Sequence, residues 1–563
     1  MRNVGGRRHG VNRASERNTH PITYVRDKNR LSFLRVRAVP ATAPKLPALA
    51  GRGALMPRSV ALLAFALLFP HRSLAPRAPD TVRVEGGQVV GTITDGLRVF
   101  KGIPYAAAPV GALRWKPPQP VAAWSGAKSA DAFSPECVQP PYPAGSAYFM
   151  PPEPMSEDCL YLNVWSAAAA GAKRPVMVWI HGGAWTRGAG SVGIYDGANL
   201  AKKGVVVVSL NYRLGSLGFL AHPELTAESP AHASGNYGML DQVAALRWVQ
   251  RHIAAFGGDA SRVTIFGESA GSWSVNVLQA SPLAAGLFHR AIGESGGRFA
   301  HNPTLAEAEQ GGVALAASLG ATSLAALRAL PAEQLANARA FNTDVTVDGL
   351  LLTDQVARTF ATKQHRIVPV LVGSNADEFT TLTSPALFPK TMDGYRKMAE
   401  LRFPGMLAEF DAVYPVKTDA DIAGAILGAG RDQSFTLEMR TWARFGSAAG
   451  APAFLYQWTH VPPIPNPKWG AYHGSEIIYA FNNVRQRSDA PALDLRLSDQ
   501  LSSYWVNFAT SGNPNGPGLP HWPAYDRESE PYLELGDSVR VGQHLLKAQL
   551  DFLERVAERR RVP

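Results

Sequence analysis

The string Gly267-Glu268-Ser269-Ala270-Gly271 holds a serine between two glycines, each two positions away. A serine hydroxyl is a weak nucleophile until a neighbouring base takes its proton, so this chemistry needs an imidazole and a carboxylate from elsewhere in the chain. The string follows the β-like run VTIF (263–266) and precedes SWSVNVLQA (272–280), which reads as a helix. A tight strand-to-helix turn lifts its serine above the sheet, and side chains at the flanking glycines would clash with a neighbouring strand or the helix. The helix N-terminus behind the serine favours negative charge developing there. Ser269 is therefore the candidate nucleophile. An ordinary serine in a structural turn is the reading that the five residues alone leave open.

Attack on a carbonyl carbon creates an oxyanion, which needs preorganised N–H donors. The residue after the nucleophile, Ala270, supplies one by geometry. A second turn, His181-Gly182-Gly183-Ala184-Trp185, follows the apolar run PVMVWI (175–180) and is expected to supply the others. In this arrangement the chain order is serine, acid, histidine. Asp377 and Glu378 follow the run VPVLVGS (368–374), and both are chemically able. Three later histidines come into question: His460 after QWT, His473 in Tyr472-His473-Gly474-Ser475-Glu476, and His521 in LPHWPAY.

These residues need a scaffold. PVMVWI, VVVVSLNY (205–212), VTIFGES (263–269), VPVLVGSN (368–375) and PAFLYQW (452–458) are continuous apolar runs, as expected for strands buried on both faces. Gly238–Phe256 carries apolar residues at helical spacing and stops at Gly257-Gly258. Strand alternating with helix predicts an α/β fold, a mostly parallel sheet with helices on both faces. Residues 300–365 and 380–450 read as helical insertions, and the Pro-rich segment 135–159 as a surface loop.

The longer string from Phe256 to Gly271 resembles the serine signature of the type-B carboxylesterases, a family that includes carboxylesterases, cholinesterases and bacterial p-nitrobenzyl esterases. Glu157-Asp158-Cys159-Leu160-Tyr161-Leu162-Asn163-Val164-Trp165 is similar to its second signature. Further strings fit between about 85 and 526, among them FKGIPYAAAPVGALRWKPPQP (100–120), NYRLGSLGFL (211–220) and GNYGMLDQVAALRWVQ (235–250). The resemblance implies an α/β-hydrolase fold and ester hydrolysis through an acyl-enzyme, with small-molecule ester and water as the partners and no metal or organic cofactor. It implies Gly183 and Ala184 as oxyanion donors beside Ala270. Many members carry a third glycine where this chain has Ala184. It selects Glu378 as the acid, with Phe379 replacing the usual glycine, and His473, from an H-G-x-E segment, as the base. Ser295 matches a serine that supports the acid, and Arg114 with Glu157 matches an ion pair bracing the active-site loop. The same match implies a Cys137–Cys159 disulfide. Glu268, beside the nucleophile, is placed to order the deacylating water, or simply to satisfy local N–H groups. Non-catalytic adhesion relatives lack triad members that are present here. The same machinery also permits amide and carbamate cleavage.

Composition narrows the partners. The 563 residues carry 56 Lys and Arg against 45 Asp and Glu; residues 1–79 hold 15 and 2 of these, leaving 41 against 43 in 80–563. The basicity thus belongs to an N-terminal arm, and the near-neutral body offers nothing for nucleic acid. Met56-Pro57-Arg58 opens an apolar run ending at Pro70, so 56–79 reads as a signal peptide, too short for a membrane span of about 20 residues. The expectation is three segments: 1–55 as a disordered leader or over-extended start, 56–79 as the signal, and 80–563 as the catalytic domain. A secreted or periplasmic location follows, with a monomer or homodimer as the assembly. The chain has only Cys137 and Cys159, too few for a zinc site, and in an exported chain such a pair closes a loop. Trp185, Tyr142, Tyr148 and Phe149 are candidates to shape a substrate gorge, or to be packing and surface residues. No clear amphipathic lid is visible.

Overall fold

The computed structural model describes residues 78–561, apart from 144, 339, 340 and 465. The leader and signal segments lie outside the described residues, save Ala78 and Pro79, which begin the first strand. The strands that matter here are β1 (Ala78–Val84), β2 (Gly87–Thr94), β3 (Leu97–Pro104), β4 (Tyr161–Ser166), β5 (Arg174–Ile180), β6 (Val206–Leu210), β7 (Gly258–Glu268), β8 (Arg290–Glu294), β9 (Val370–Asn375), β10 (Ala453–Trp458), β11 (Pro531–Leu535) and β12 (Val539–Gln543). They form one twisted sheet in the order β1-β2-β3-β4-β6-β5-β7-β8-β9-β10-β11-β12, with a short strand at 127–129 added beside β2. The run from β6 to β11 is parallel, and the flanking pairs are antiparallel.

Each apolar run seen in the sequence is a strand of that parallel centre. Alternation explains why these runs carry no polar face. Along β5, Val176, Val178 and Ile180 join one core layer, whereas Met177 and Trp179 join the other. The first layer packs against α1 (Tyr237–His252) and α2 (Ala270–Ala280), through Leu246, Val249, Val275 and Leu278. Past α1, a 3-10 turn over Ile253–Phe256 ends at Gly257, with φ 88°, and β7 begins at once. The insertions are helical as expected. Two of them, α3 (Ile422–Arg431) and α4 (Leu437–Ala448), are joined by a π-helical turn at Asp432–Thr436. The second core layer packs against α5 (Ala492–Ser511), through Leu501, Tyr504, Trp505 and Phe508.

The loop 135–159 is held at both ends. Cys137 and Cys159 form a disulfide across 22 residues, and Glu136–Cys137 pairs in parallel with Met155–Ser156. Arg114 grips Glu157 through two parallel hydrogen bonds of 2.7 and 2.5 Å, and its remaining N–H groups reach the Arg328 and Leu330 carbonyls. A second bidentate pair, buried Arg213 on Asp241, ties the segment after β6 to α1; nothing in the sequence singled it out. In the chain-entropy account a closure of this length is worth ~3 kcal/mol. Cys137→Ser should therefore lower the thermal unfolding midpoint by several degrees, and reductant should lower the wild-type midpoint equally while leaving the variant unmoved.

Candidate active site

Ser269 stands between the last residue of β7 and the first of α2, with φ 56° and ψ −123°. That conformation is sparsely populated for a residue with a side chain and must be imposed by its surroundings. The Ser269 N–H is held by the Glu294 carbonyl at 2.9 Å, and the Ser269 carbonyl accepts the Trp273 N–H, so both ends of the turn are fixed. A Cβ on Gly271 would sit inside the contact radius of the Ile180 carbonyl oxygen, and one on Gly267 would lie 2.6 Å from the same atom. The glycines flanking the serine are thus required by β5, the neighbouring strand.

Ile180 leads directly into His181-Gly182-Gly183-Ala184. His181 is wholly buried, and burial lowers its affinity for a proton, to a pKa of about 4. The neutral ring donates from Nδ1 to the Gly182 carbonyl at 2.8 Å and stacks on Tyr212. A trans peptide sets its N–H opposite its C=O, so the Gly183 N–H faces away from that ring. Gly183 and Ala184 both have positive φ, 103° and 56°. At 184 the alanine bears a steric cost that a glycine would not. Among the described residues, the amides of Gly183, Ala184 and Ala270 have no hydrogen-bond acceptor. Gly182 lies against Ser269: a Cβ there would be 3.1 Å from the Ser269 Cβ. The two turns therefore bring free N–H groups to one place beside Ser269.

Of the two acids, Glu378 reaches the imidazole. Its Oε2 lies 2.5 Å from His473 Nδ1, and its Oε1 accepts the Asn375 N–H at 2.7 Å. Asp377 instead accepts the Ala471 N–H at 2.9 Å, which pins the segment carrying His473. Phe379, where a glycine was expected, packs beside Phe435, and a side chain on Gly430 would collide with it. His460 faces Asp537 and Asp494, and His521 is exposed, so neither belongs here. The Ser295 hydroxyl has no hydrogen-bond partner among the described residues, and its N–H goes to the Gly373 carbonyl.

Glu268 Oε1 lies 3.1 Å from His473 Nε2, close enough for charge attraction but not aligned for a hydrogen bond. The imidazole is thus flanked by two carboxylates. Burial alone disfavours its charge, but the fields of Glu268 and Glu378 outweigh burial and lift its pKa to about 9. Glu268 is itself raised by burial to about 7, with His473 opposing the rise and Glu378 adding to it.

The disulfide loop packs against the segment that carries His473. The Tyr148 hydroxyl donates to the His473 carbonyl at 3.1 Å and shares a 2.6 Å hydrogen bond with Thr381. Tyr142 stands beside Tyr148 and carries the Arg187 guanidinium over its ring. Phe149 is exposed, and Trp185 is buried against Phe219 and Trp273. Phe435, from the π-helical turn, packs on His473 at 4.8 Å. No sequence signal marks that contact, because it depends on one extra residue inside a helix.

A sequence profile described as "Carboxylesterase family" matches residues 78–553. The chain belongs to the carboxylesterase family. It is a carboxylic-ester hydrolase on the α/β-hydrolase fold. It is 38% identical to the fumonisin B1 esterase of Sphingopyxis macrogoltabida, over 83% of this chain and 88% of that protein. Identity to the liver carboxylesterase of Sus scrofa is 36%, over 85% and 93% of the two chains. Among solved structures, the esterase resembles the Geobacillus stearothermophilus carboxylesterase EST55, with a TM-score of 0.74, 34% identity, and 84% and 99% coverage. A PNB esterase gives 0.73, 32%, and 84% and 99%.

The packing at Gly271 makes a direct prediction. Gly271→Ala should destabilise this esterase by roughly 3 kcal/mol or more, because the Ile180 carbonyl is backbone and cannot swing aside. Denaturant unfolding checks it, and the neighbouring Ser272→Ala serves as the control for a buried change on the same helix turn.

Proposed function

We propose that the esterase works through an acyl-enzyme, with Ser269 as nucleophile, His473 as general base and Glu378 as its orienting acid. The observation that carries this reading is the 2.5 Å contact between Glu378 and His473 Nδ1, beside a serine in a strained turn with free amides around it. Glu378 holds Nδ1 as the protonated nitrogen, which leaves Nε2 to take the Ser269 proton. The Ser269 oxygen then bonds to the carbonyl carbon, and the oxyanion is met by the amides of Gly183, Ala184 and Ala270. Collapse breaks the bond to the alcohol oxygen, which leaves with the proton from Nε2. Water repeats the sequence on the acyl-enzyme, and the carboxylic acid departs. Each oxyanion donor contributes about 3 kcal/mol to such a transition state. Relatives are named for esters as different as fumonisin B1 and cocaine, so acyl and alcohol preference is assigned to the wall built by Tyr142, Tyr148 and the helical insertions.

Ser269→Ala should lower kcat/KM for p-nitrophenyl acetate by on the order of 10⁴ or more while keeping the fold. Wild type should also take up one organophosphate per chain at that serine. A variant that keeps most of its turnover removes Ser269 from the role.

The pH profile tests the base. A general base must be neutral, and His473 is held above its ordinary value, so kcat/KM should rise with pH through that raised pKa. Glu268→Gln removes one of the two negative fields. The rising limb should then move to lower pH by about one unit. A limb that stays in place would assign it to another group.

We also read residues 56–79 as an export signal. Mass spectrometry of the mature N-terminus decides this, and a mature chain that begins near Met1 overturns it.

A further inference from the structure

A row of residues crosses four strands at their C-terminal ends. Glu268 pairs with Glu294, Glu294 with Gly373, and Gly373 with Tyr456. Phe266, Ile292, Leu371 and Phe454, two residues earlier on the same strands, all belong to the core layer under α5, so the row faces that layer too. Gly373 has no side chain, and one there would collide with the Tyr456 ring, which lies over it. From α5, the Trp505 N–H donates to Glu294 Oε1 at 2.9 Å, and the Trp505 ring packs on Tyr456 at 5.5 Å. Asn375, at the end of β9, bridges the row to the base: its Nδ2 donates to Glu476 and to the Tyr472 carbonyl, on either side of His473.

Five buried atoms in this region have no hydrogen-bond partner among the described residues. They are Glu268 Oε1, Glu294 Oε2, Asn375 Oδ1, Glu476 Oε1 and the Tyr456 hydroxyl. The tyrosine brings a hydrogen; the amide oxygen only accepts, and so do the three carboxylates when they are ionised. An orphaned buried group costs about 1–3 kcal/mol, and native interiors leave few of them. With the acids ionised these side chains hold too few hydrogens, so the missing donors are protons on the acids themselves or a bound water between them. Among the described residues no three acidic, histidine or cysteine groups are spaced for a metal ion, and no Lys or Arg forms an ion pair with Glu268, Glu294, Glu378 or Glu476. A buried water supplies two hydrogens and meets about three partners.

We propose that these five atoms enclose a buried water site beneath the imidazole, and that the site stores the protons that set the charge around His473. Glu268 is the link, since it belongs to the row and also lies against Nε2. The groups facing Glu294 are Glu268 and Glu476, the Tyr456 and Tyr195 hydroxyls and the Trp505 N–H. Burial and mutual repulsion favour the protonated acids: Glu294 is raised to about 8, against the pull of Trp505, and Glu476 is raised as well. The stored proton is not consumed in turnover, because His473 returns to the alcohol what it takes from Ser269. Glu294, Tyr456 and Glu476 are positioning residues, and their effect rests on the proposed role of His473.

The test has two arms. A crystal structure of the wild-type enzyme at about 1.8 Å should show ordered water bonded to both Glu294 and Glu476; a dry site overturns the proposal, whatever the role of Ser269. Glu294→Gln and Tyr456→Phe should leave the thermal midpoint near wild type. Both should shift the rising limb of kcat/KM to lower pH by about half a unit or more, the first by deleting a titrating acid and the second by deleting the one built-in donor. A limb unmoved in both variants overturns the proton store. Failure of the underlying reading shows separately, as activity retained in Ser269→Ala.

Discussion

Two backbone turns meet across the Ile180 carbonyl, and the thickness of a glycine is all that separates them. Gly267 and Gly271 close on that oxygen from the side of the serine turn. Ile180 itself opens the turn that holds Gly182, Gly183 and Ala184. The parallel register of β5 with β7, which pairs Ile180 with Gly267, places both turns at the same height on the sheet. The sheet thus sets the distance between the serine and the free amides, and no side chain has to hold it. This is why the strain at Ser269 persists: its N–H and carbonyl are each committed to a neighbouring element, so the turn cannot relax without breaking β7 from β8 or α2 from its first turn.

A second constraint is electrostatic. Four glutamates, at 268, 294, 378 and 476, are buried close to one another, two of them against the His473 imidazole. Ionised acids this close cannot all stay charged, because low-dielectric surroundings strengthen their repulsion. Glu378 is committed to the ring and to a backbone N–H. The other three each keep an oxygen without a partner. The proton affinity of His473 therefore belongs to the set of buried acids and not to the ring alone.

The parts legible in the sequence were those that announce themselves within a few residues. The serine turn and the His181–Ala184 turn each combine local residue types with a strand boundary, whereas the H-G-x-E segment was chosen from three histidines by family resemblance; the structure draws the three together. The choice between Asp377 and Glu378 came from family resemblance, since adjacent carboxylates are chemically equivalent on paper; the difference is that one points to the Ala471 N–H and the other to the ring. The core was legible because strands buried on both faces read as unbroken apolar runs. What stayed hidden depends on register across the sheet or on irregular helix geometry. The row from Glu268 to Tyr456 joins residues nearly two hundred positions apart, and Phe435 reaches His473 only because a π-helical turn rotates it there. The Arg213–Asp241 pair was invisible for the same reason: nothing local couples a loop after β6 to a helix a turn and more downstream.

The loop between Cys137 and Cys159 is anchored at its two ends, and in between Tyr148 holds it to the His473 carbonyl and to Thr381. The disulfide, the short paired strands and the Arg114–Glu157 clamp all lie at its base, apart from Tyr142 and Tyr148. The stretch carrying Tyr142 and Tyr148 is accordingly a cassette. Its contents can change without touching the strands or the serine turn, except at Tyr148, whose hydroxyl holds the His473 carbonyl, and at Tyr142, which lies against Gly183. Diversification of such an enzyme toward new esters is thereby uncoupled from the stability of its core. One fold serves as a fixed reactor with an exchangeable mouth.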